Sequence, residues 1–208
     1  MLAPSENVHA ETYSRFIQEL VPTEAERKQL FSAITDVPVV KAKGDWCLRW
    51  INSQTHDFST RLIAFAIVEG IFFSSSFAAV FWIRHRGLMP GLGQANQMIS
   101  RDEGMHMRFA CLLYKELGTV VPEATVHAMV LEAVELEHAF FAGGFVFSAG
   151  TYYSDCRNWI AALPDPLVGM NVQLMRDYVE YIGDYLLSTL GYRQLFYSKN
   201  PVRLSARP

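Results

Sequence analysis

The chain has 208 residues, 18 basic against 21 acidic, a net charge of −3, and half of its residues are hydrophobic. This is the composition of one globular domain with a sizeable core, and it excludes a disordered chain or a basic nucleic-acid-binding face. The cysteines Cys47, Cys111 and Cys156 are scattered with no CxxC spacing, which argues against a zinc site and suits a reducing compartment. Met1-Leu2-Ala3-Pro4-Ser5 has neither a basic n-region nor an apolar run, so the expected location is the cytoplasm.

Residues 5 to 20 read as a helix, with Ser5 as its cap and Val8, Phe16, Ile17 and Leu20 at helical spacing. Thr23-Glu24-Ala25-Glu26 forms a capping box that opens a second helix to about Ile34. A third runs from Val39 to Trp50, and 52–57 is a loop. Arg61 to Arg84 reads as one long helix, apolar on nearly every face, with Glu69 as its lone carboxylate. It is long enough to span a bilayer. A carboxylate there is costly, so a central helix of a soluble bundle is the better reading. Gly87 ends this helix, and Pro90-Gly91-Leu92-Gly93 makes a turn. The next helix carries Asn96, Ile99, Glu103, His106 and Ala110 on one face and ends near Gly118. Pro122 to Phe141 is another helix. Residues 142–160 lose the helical period and read as an irregular insertion. Helix returns from Leu167 to Leu190, and the polar tail 197–208 is expected to be mobile. All of this reads as one domain over 1–208, and no strand is expected.

The chemistry lies in two Glu-x-x-His pairs, Glu6/His9 and Glu103/His106, with Glu69 between them. On a helix, residues three apart share a face. Two such pairs with lone glutamates from other helices form the ligand pattern of a di-iron or di-manganese carboxylate bundle. That pattern also needs a fourth carboxylate. Iron and manganese accept the same ligands, so spacing does not choose between them. A single pair is weak, since a third, Glu135/His138, occurs in the same chain. On spacing alone the bland alternatives stay open: an arginine partner for Glu69, and ordinary core histidines. Tyr13 is four residues after His9, on the same face, where a tyrosine can lose an electron and a proton to a metal pair. Phe73, Phe77 and Ile99 either wall such a site or pack as ordinary core.

Longer stretches carry a resemblance. Glu6-Asn7-Val8-His9-Ala10-Glu11-Thr12-Tyr13-Ser14, Val68-Glu69-Gly70-Ile71-Phe72-Phe73, Arg86-Gly87-Leu88-Met89-Pro90-Gly91-Leu92 and Ile99-Ser100-Arg101-Asp102-Glu103-Gly104-Met105-His106 resemble segments of the class I ribonucleotide reductase small subunit, closest to the eukaryotic type. Ala42 to Trp50 and Leu167 to Asn171 are similar to it as well. The resemblance implies a ferritin-like all-α bundle, usually a homodimer, that holds two irons and makes a tyrosyl radical with oxygen. A large subunit uses that radical to reduce ribonucleoside diphosphates for DNA synthesis. It further implies Glu6, His9, Glu69, Glu103 and His106 as metal ligands and Tyr13 as the radical site. Asp102 is implied as the partner of His9 on the radical path, with Phe73, Phe77 and Ile99 as the radical pocket. No nucleic acid and no membrane are expected as partners.

The departures from that pattern are expectations too. The family carries its fourth carboxylate and a path tryptophan on an earlier helix, and a path tyrosine and docking peptide on a tail. Neither is matched here, and Phe145 to Trp159 reads as inserted. The rival reading is therefore a family member that dimerises or binds a partner without chemistry. A desaturase-like or iron-storing relative fits the context of Tyr13 and Arg101-Asp102 less well.

Overall fold

The computed structural model describes residues 2–52, 54–142 and 172–201. Among them are nine helices and no strand: α1 (Leu2–Leu20), α2 (Glu24–Phe31), α3 (Ala33–Asp36), α4 (Pro38–Ile51), α5 (Phe58–Ile71), α6 (Ser74–His85), α7 (Pro90–Glu116), α8 (Glu123–Ala142) and α9 (Val172–Leu190). The expected insertion from residue 143 onward lies outside the described residues, as do 167–171 and 202–208.

Local chemistry sets most boundaries. The Thr23 hydroxyl accepts the Glu26 amide and the Glu26 carboxylate accepts the Thr23 amide, the reciprocal box read from sequence. Asp57 caps α5 by accepting the Thr60 amide at 2.7 Å. Gly87, at φ 74°, closes α6, and the Leu88 amide reaches back to the Ile83 carbonyl at 3.2 Å.

Four boundaries differ from the sequence reading. The first helix starts at Leu2, and Ser5 turns its hydroxyl to His106 Nε2 at 3.3 Å instead of capping. Pro4 is tolerated because first-turn amides have no intrahelical partner. The second helix is interrupted at Ser32, where α2 gives way to the single turn α3. Pro90 is not part of a turn but the first residue of α7, for the same reason that Pro4 is tolerated. The long apolar helix is two helices, broken at Phe72-Phe73.

Helix α5 is the axis of the bundle and packs against α4, α7, α8 and α9. Its Ile63, Ala64, Ala66, Ile67 and Ile71 are fully buried. Around them lie Trp46 of α4, Met129, Val130 and Phe141 of α8, and Met175, Leu186 and Leu187 of α9. Phe58–His85 is the one stretch among the described residues long and apolar enough to cross a membrane. Its α5 half is mostly buried in this core, with Ile63, Ala64, Ala66, Ile67 and Ile71 fully enclosed. The tail is anchored at its start. Asp184, 1% exposed, accepts the amides of Leu195, Phe196 and Ser198 at 2.8, 3.0 and 3.1 Å.

Candidate metal centre

Three elements bring the sequence-predicted ligands together. α1 supplies Glu6 and His9, α5 supplies Glu69 in its last turn, and α7 supplies Glu103 and His106 one turn apart. Gly70 allows α5 and α7 to approach closely. A Cβ there would lie 2.9 Å from Met107 Sδ, so its absence lets the last turn of α5 sit against α7. One ligand atom each from Glu6, Glu69, Glu103 and His106 falls within 4.8 Å of all the others.

Glu103 is the hinge of the cluster. Its Oε1 lies 2.9 Å from His9 Nδ1, and its Oε2 accepts from His106 Nδ1 at 2.9 Å. His106 Nδ1 is also 3.3 Å from Glu69 Oε2 and 3.2 Å from Glu6 Oε1. Glu6 Oε1 is 3.5 Å from His9 Nδ1. The two imidazoles stand 6.1 Å apart, tilted by 30°. Asp102 lies outside this ring of carboxylates, its Oδ2 3.2 Å from His9 Nε2, so it holds the far side of the imidazole while Nδ1 faces inward.

Glu69, Glu103, His9 and His106 are all buried, whereas the Glu6 side chain is about half exposed. Burial, followed by the hydrogen bond and charge of Glu103 and the charge of Glu6, raises the Glu69 carboxyl to about 9. Two buried atoms, Glu6 Oε1 and His9 Nδ1, form no hydrogen bond among the described residues, although both face the carboxylates. Hard oxygen donors, two imidazoles and orphaned inward-facing lone pairs fit a hard or borderline divalent cation. Nothing in this donor set favours a soft ion.

Tyr13 is half-buried on α1. Burial and then the charge of Glu103 push its hydroxyl to about 12. A cavity of about 440 Å³ opens on Glu69 and Glu103, with Phe77, Phe81 and Tyr178 in its wall. Ile99 lines a groove on the other side of the cluster, with His9, Thr12 and Asp102. Phe73 does not reach the Glu69 side. It is 36% exposed and lines a separate apolar groove with Leu30, Ile34, Val40 and Phe140, because the break before α6 turns it away. Its ring still lies 5.8 Å from that of Phe77. Of the third pair, Glu135/His138, neither residue joins the cluster. Their neighbour Glu137 is fully buried and paired with Lys43, a role the sequence reading did not see. The available signal was its register: Val126, Val130, Ala133 and Phe140 share its face of α8 and are all buried.

The family model described as "Ribonucleotide reductase, small chain" matches residues 1–201. Over 196 residues the chain is 42% identical to the ribonucleoside-diphosphate reductase small chain of Neurospora crassa, covering 94% of this chain and 43% of that protein. It is 43% identical to ribonucleoside-diphosphate reductase subunit M2 of Danio rerio, covering 94% and 46%. The chain thus spans about half the length of the curated relatives it matches. Among solved structures, the ribonucleotide reductase Rnr4 homodimer from Saccharomyces cerevisiae superposes with a TM-score of 0.73 at 29% identity, over 96% of this chain and 57% of that one.

Proposed function

The chain belongs to the ribonucleotide reductase small-chain family, and from that premise we propose that it is the radical-generating subunit of a ribonucleoside-diphosphate reductase. The observation that carries the proposal is the meeting of Glu6, Glu69, Glu103 and His106 within 4.8 Å, on three helices distant in sequence. We assign Glu6, His9, Glu69, Glu103 and His106 as ligands of a pair of metal ions, iron in the first instance, with manganese accepting the same donors. When bound, the metal pair supplies, with dioxygen, the oxidising power to take one electron from a tyrosine.

The chain's own residues then have distinct tasks. Glu103 presents one oxygen to each imidazole, so it would hold a cation together with either histidine. Asp102 fixes the His9 ring through Nε2 and leaves Nδ1 for the ion. Tyr13 is the proposed radical site. A hydroxyl pushed up to about 12 keeps its proton at neutral pH, so electron and proton leave together on oxidation. Phe77 lines the cavity on one side of the cluster and Ile99 the groove on the other, and these two are the proposed apolar shielding of the radical. Phe73, in its separate groove, has no part in that shielding.

The radical equivalent is proposed to pass to a large subunit that reduces ribonucleoside diphosphates, with the small subunit a homodimeric, cytoplasmic single-domain protein. The test is low-temperature electron paramagnetic resonance after anaerobic ferrous loading and a pulse of oxygen. A tyrosyl signal in the parent that is absent in Tyr13→Phe supports the assignment. Substoichiometric iron and no radical overturn it in favour of a partner-binding role without chemistry.

A further inference from the structure

The break between α5 and α6 is held by a buried ion pair that the metal chemistry does not use. Lys43 of α4 donates to the Phe72 carbonyl at 2.5 Å and to Glu137 Oε2 at 2.7 Å. Glu137 of α8 accepts the Ser75 amide at 2.9 Å through Oε1, which also takes the Ser75 hydroxyl. The Glu137 side chain is fully buried and that of Lys43 is 13% exposed. The ammonium lies 3.9 Å above the centre of the Phe140 ring.

Two helices that meet end to end leave carbonyls of the first and amides of the second without intrahelical partners. Here the cation sits at the C-terminal end of α5 and the carboxylate at the N-terminal end of α6, each matching the dipole it faces. The pair therefore does more than join α4 to α8: its two charges complete two opposed helix ends. The first of those ends, at Phe72, lies three residues from Glu69 and the second, at Ser75, lies six; the turn of Glu69 is pressed on α7 through Gly70 and Met107. A continuous helix would carry that turn in a different register relative to Phe77 and Ser74, which line the cavity over Glu69 and Glu103.

We infer that Lys43 and Glu137 are positioning residues of the metal centre: by holding the break between α5 and α6 they set Glu69 against Glu103 and His106. The inference rests on the metal reading above. It separates ion-binding geometry from overall stability, because replacing a buried ion pair with apolar side chains of similar size leaves many folds intact.

The experiment is a titration of the full chain with Co²⁺, following the visible d–d absorption, for the parent, Glu103→Ala and the double variant Lys43→Met/Glu137→Met. The parent is expected to bind Co²⁺ with an absorption that Glu103→Ala abolishes. The double variant should keep a cooperative melt, at a temperature lowered by the loss of partners for the Phe72 carbonyl and the Ser75 amide, bind Co²⁺ about 10- to 100-fold more weakly, and shift the d–d bands. A parent that binds no Co²⁺ overturns the metal reading and this inference with it. A parent that binds, beside a folded double variant with the same affinity and spectrum, overturns this inference alone. If the double variant does not fold, Ser75→Ala decides. It removes one hydrogen bond to Glu137 and no charge, and it should weaken binding at least about twofold with a shifted spectrum. Unchanged affinity and bands in that variant overturn the inference.

Discussion

The raised carboxyl of Glu69 makes ion binding a proton-release reaction. Its value of about 9 arises from burial first, then from the hydrogen bond and charge of Glu103 and the charge of Glu6. At pH 7, below that value, most Glu69 side chains in the metal-free fold carry a proton. A cation that takes Glu69 as ligand displaces that proton. The apparent association constant should therefore rise about tenfold per pH unit between pH 6 and 8 on account of this group. The stability of the metal-free fold runs the other way. The folded pKa stands above the ordinary 4.5, so between about 4.5 and about 9 the folded chain holds more protons than the unfolded one, and stability falls as pH rises through that window. Isothermal titration with Mn²⁺ in buffers of different ionisation heat measures the proton count, and metal-free melts at pH 6 and 8 measure the stability. Glu69→Gln should remove about one proton from the count and flatten the melting trend. A proton count that Glu69→Gln leaves unchanged, or an affinity independent of pH between 6 and 8, would refute this account of the site.

Three other expectations follow from single contacts. Asp184→Ala strips the acceptor from three amides and should cost about 2–4 kcal/mol in urea unfolding, with no change in Co²⁺ affinity per folded chain. Gly70→Ala drives a methyl into Met107 Sδ and should cost about 1–3 kcal/mol and weaken ion binding. In a Met107→Ala background much of that penalty should vanish, a coupling that a double-mutant cycle reads directly. Met89 holds a left-handed backbone at φ 46° before Pro90, so Met89→Gly should stabilise by about 1 kcal/mol and raise the melting temperature by a few degrees.

The clustering of the proposed ligands was legible in the sequence because a Glu-x-x-His pair on a helix carries its geometry with it. Once α1 and α7 form, Glu6, His9, Glu103 and His106 each point from one face. The break in the apolar helix was not legible. Residues 61 to 84 are apolar on all sides, so no period marks an interruption, and neither Phe72 nor Phe73 is a helix breaker. The side chains that meet its two ends lie 29 residues upstream of Phe72 in Lys43 and 62 residues beyond Ser75 in Glu137. The misplacement of Phe73 follows from that one omission: four residues after Glu69 is the same face only if the helix continues. Pro90 shows a different limit, since a proline beside glycine is equally good chemistry for a turn and for a first helical turn.

The carboxylate cluster also bears on how the chain folds. Glu6, Glu69 and Glu103 come from helices that meet only when α1, α5 and α7 are docked, and their oxygens are poor company for one another without a cation. The site is thus a point of local frustration at the seam of an otherwise consistent core. Apolar replacements at Glu69 are expected to slow unfolding even as they remove a proposed ligand. The carboxylates gathered at this seam are the ones that a sequence selected for stability alone would discard first.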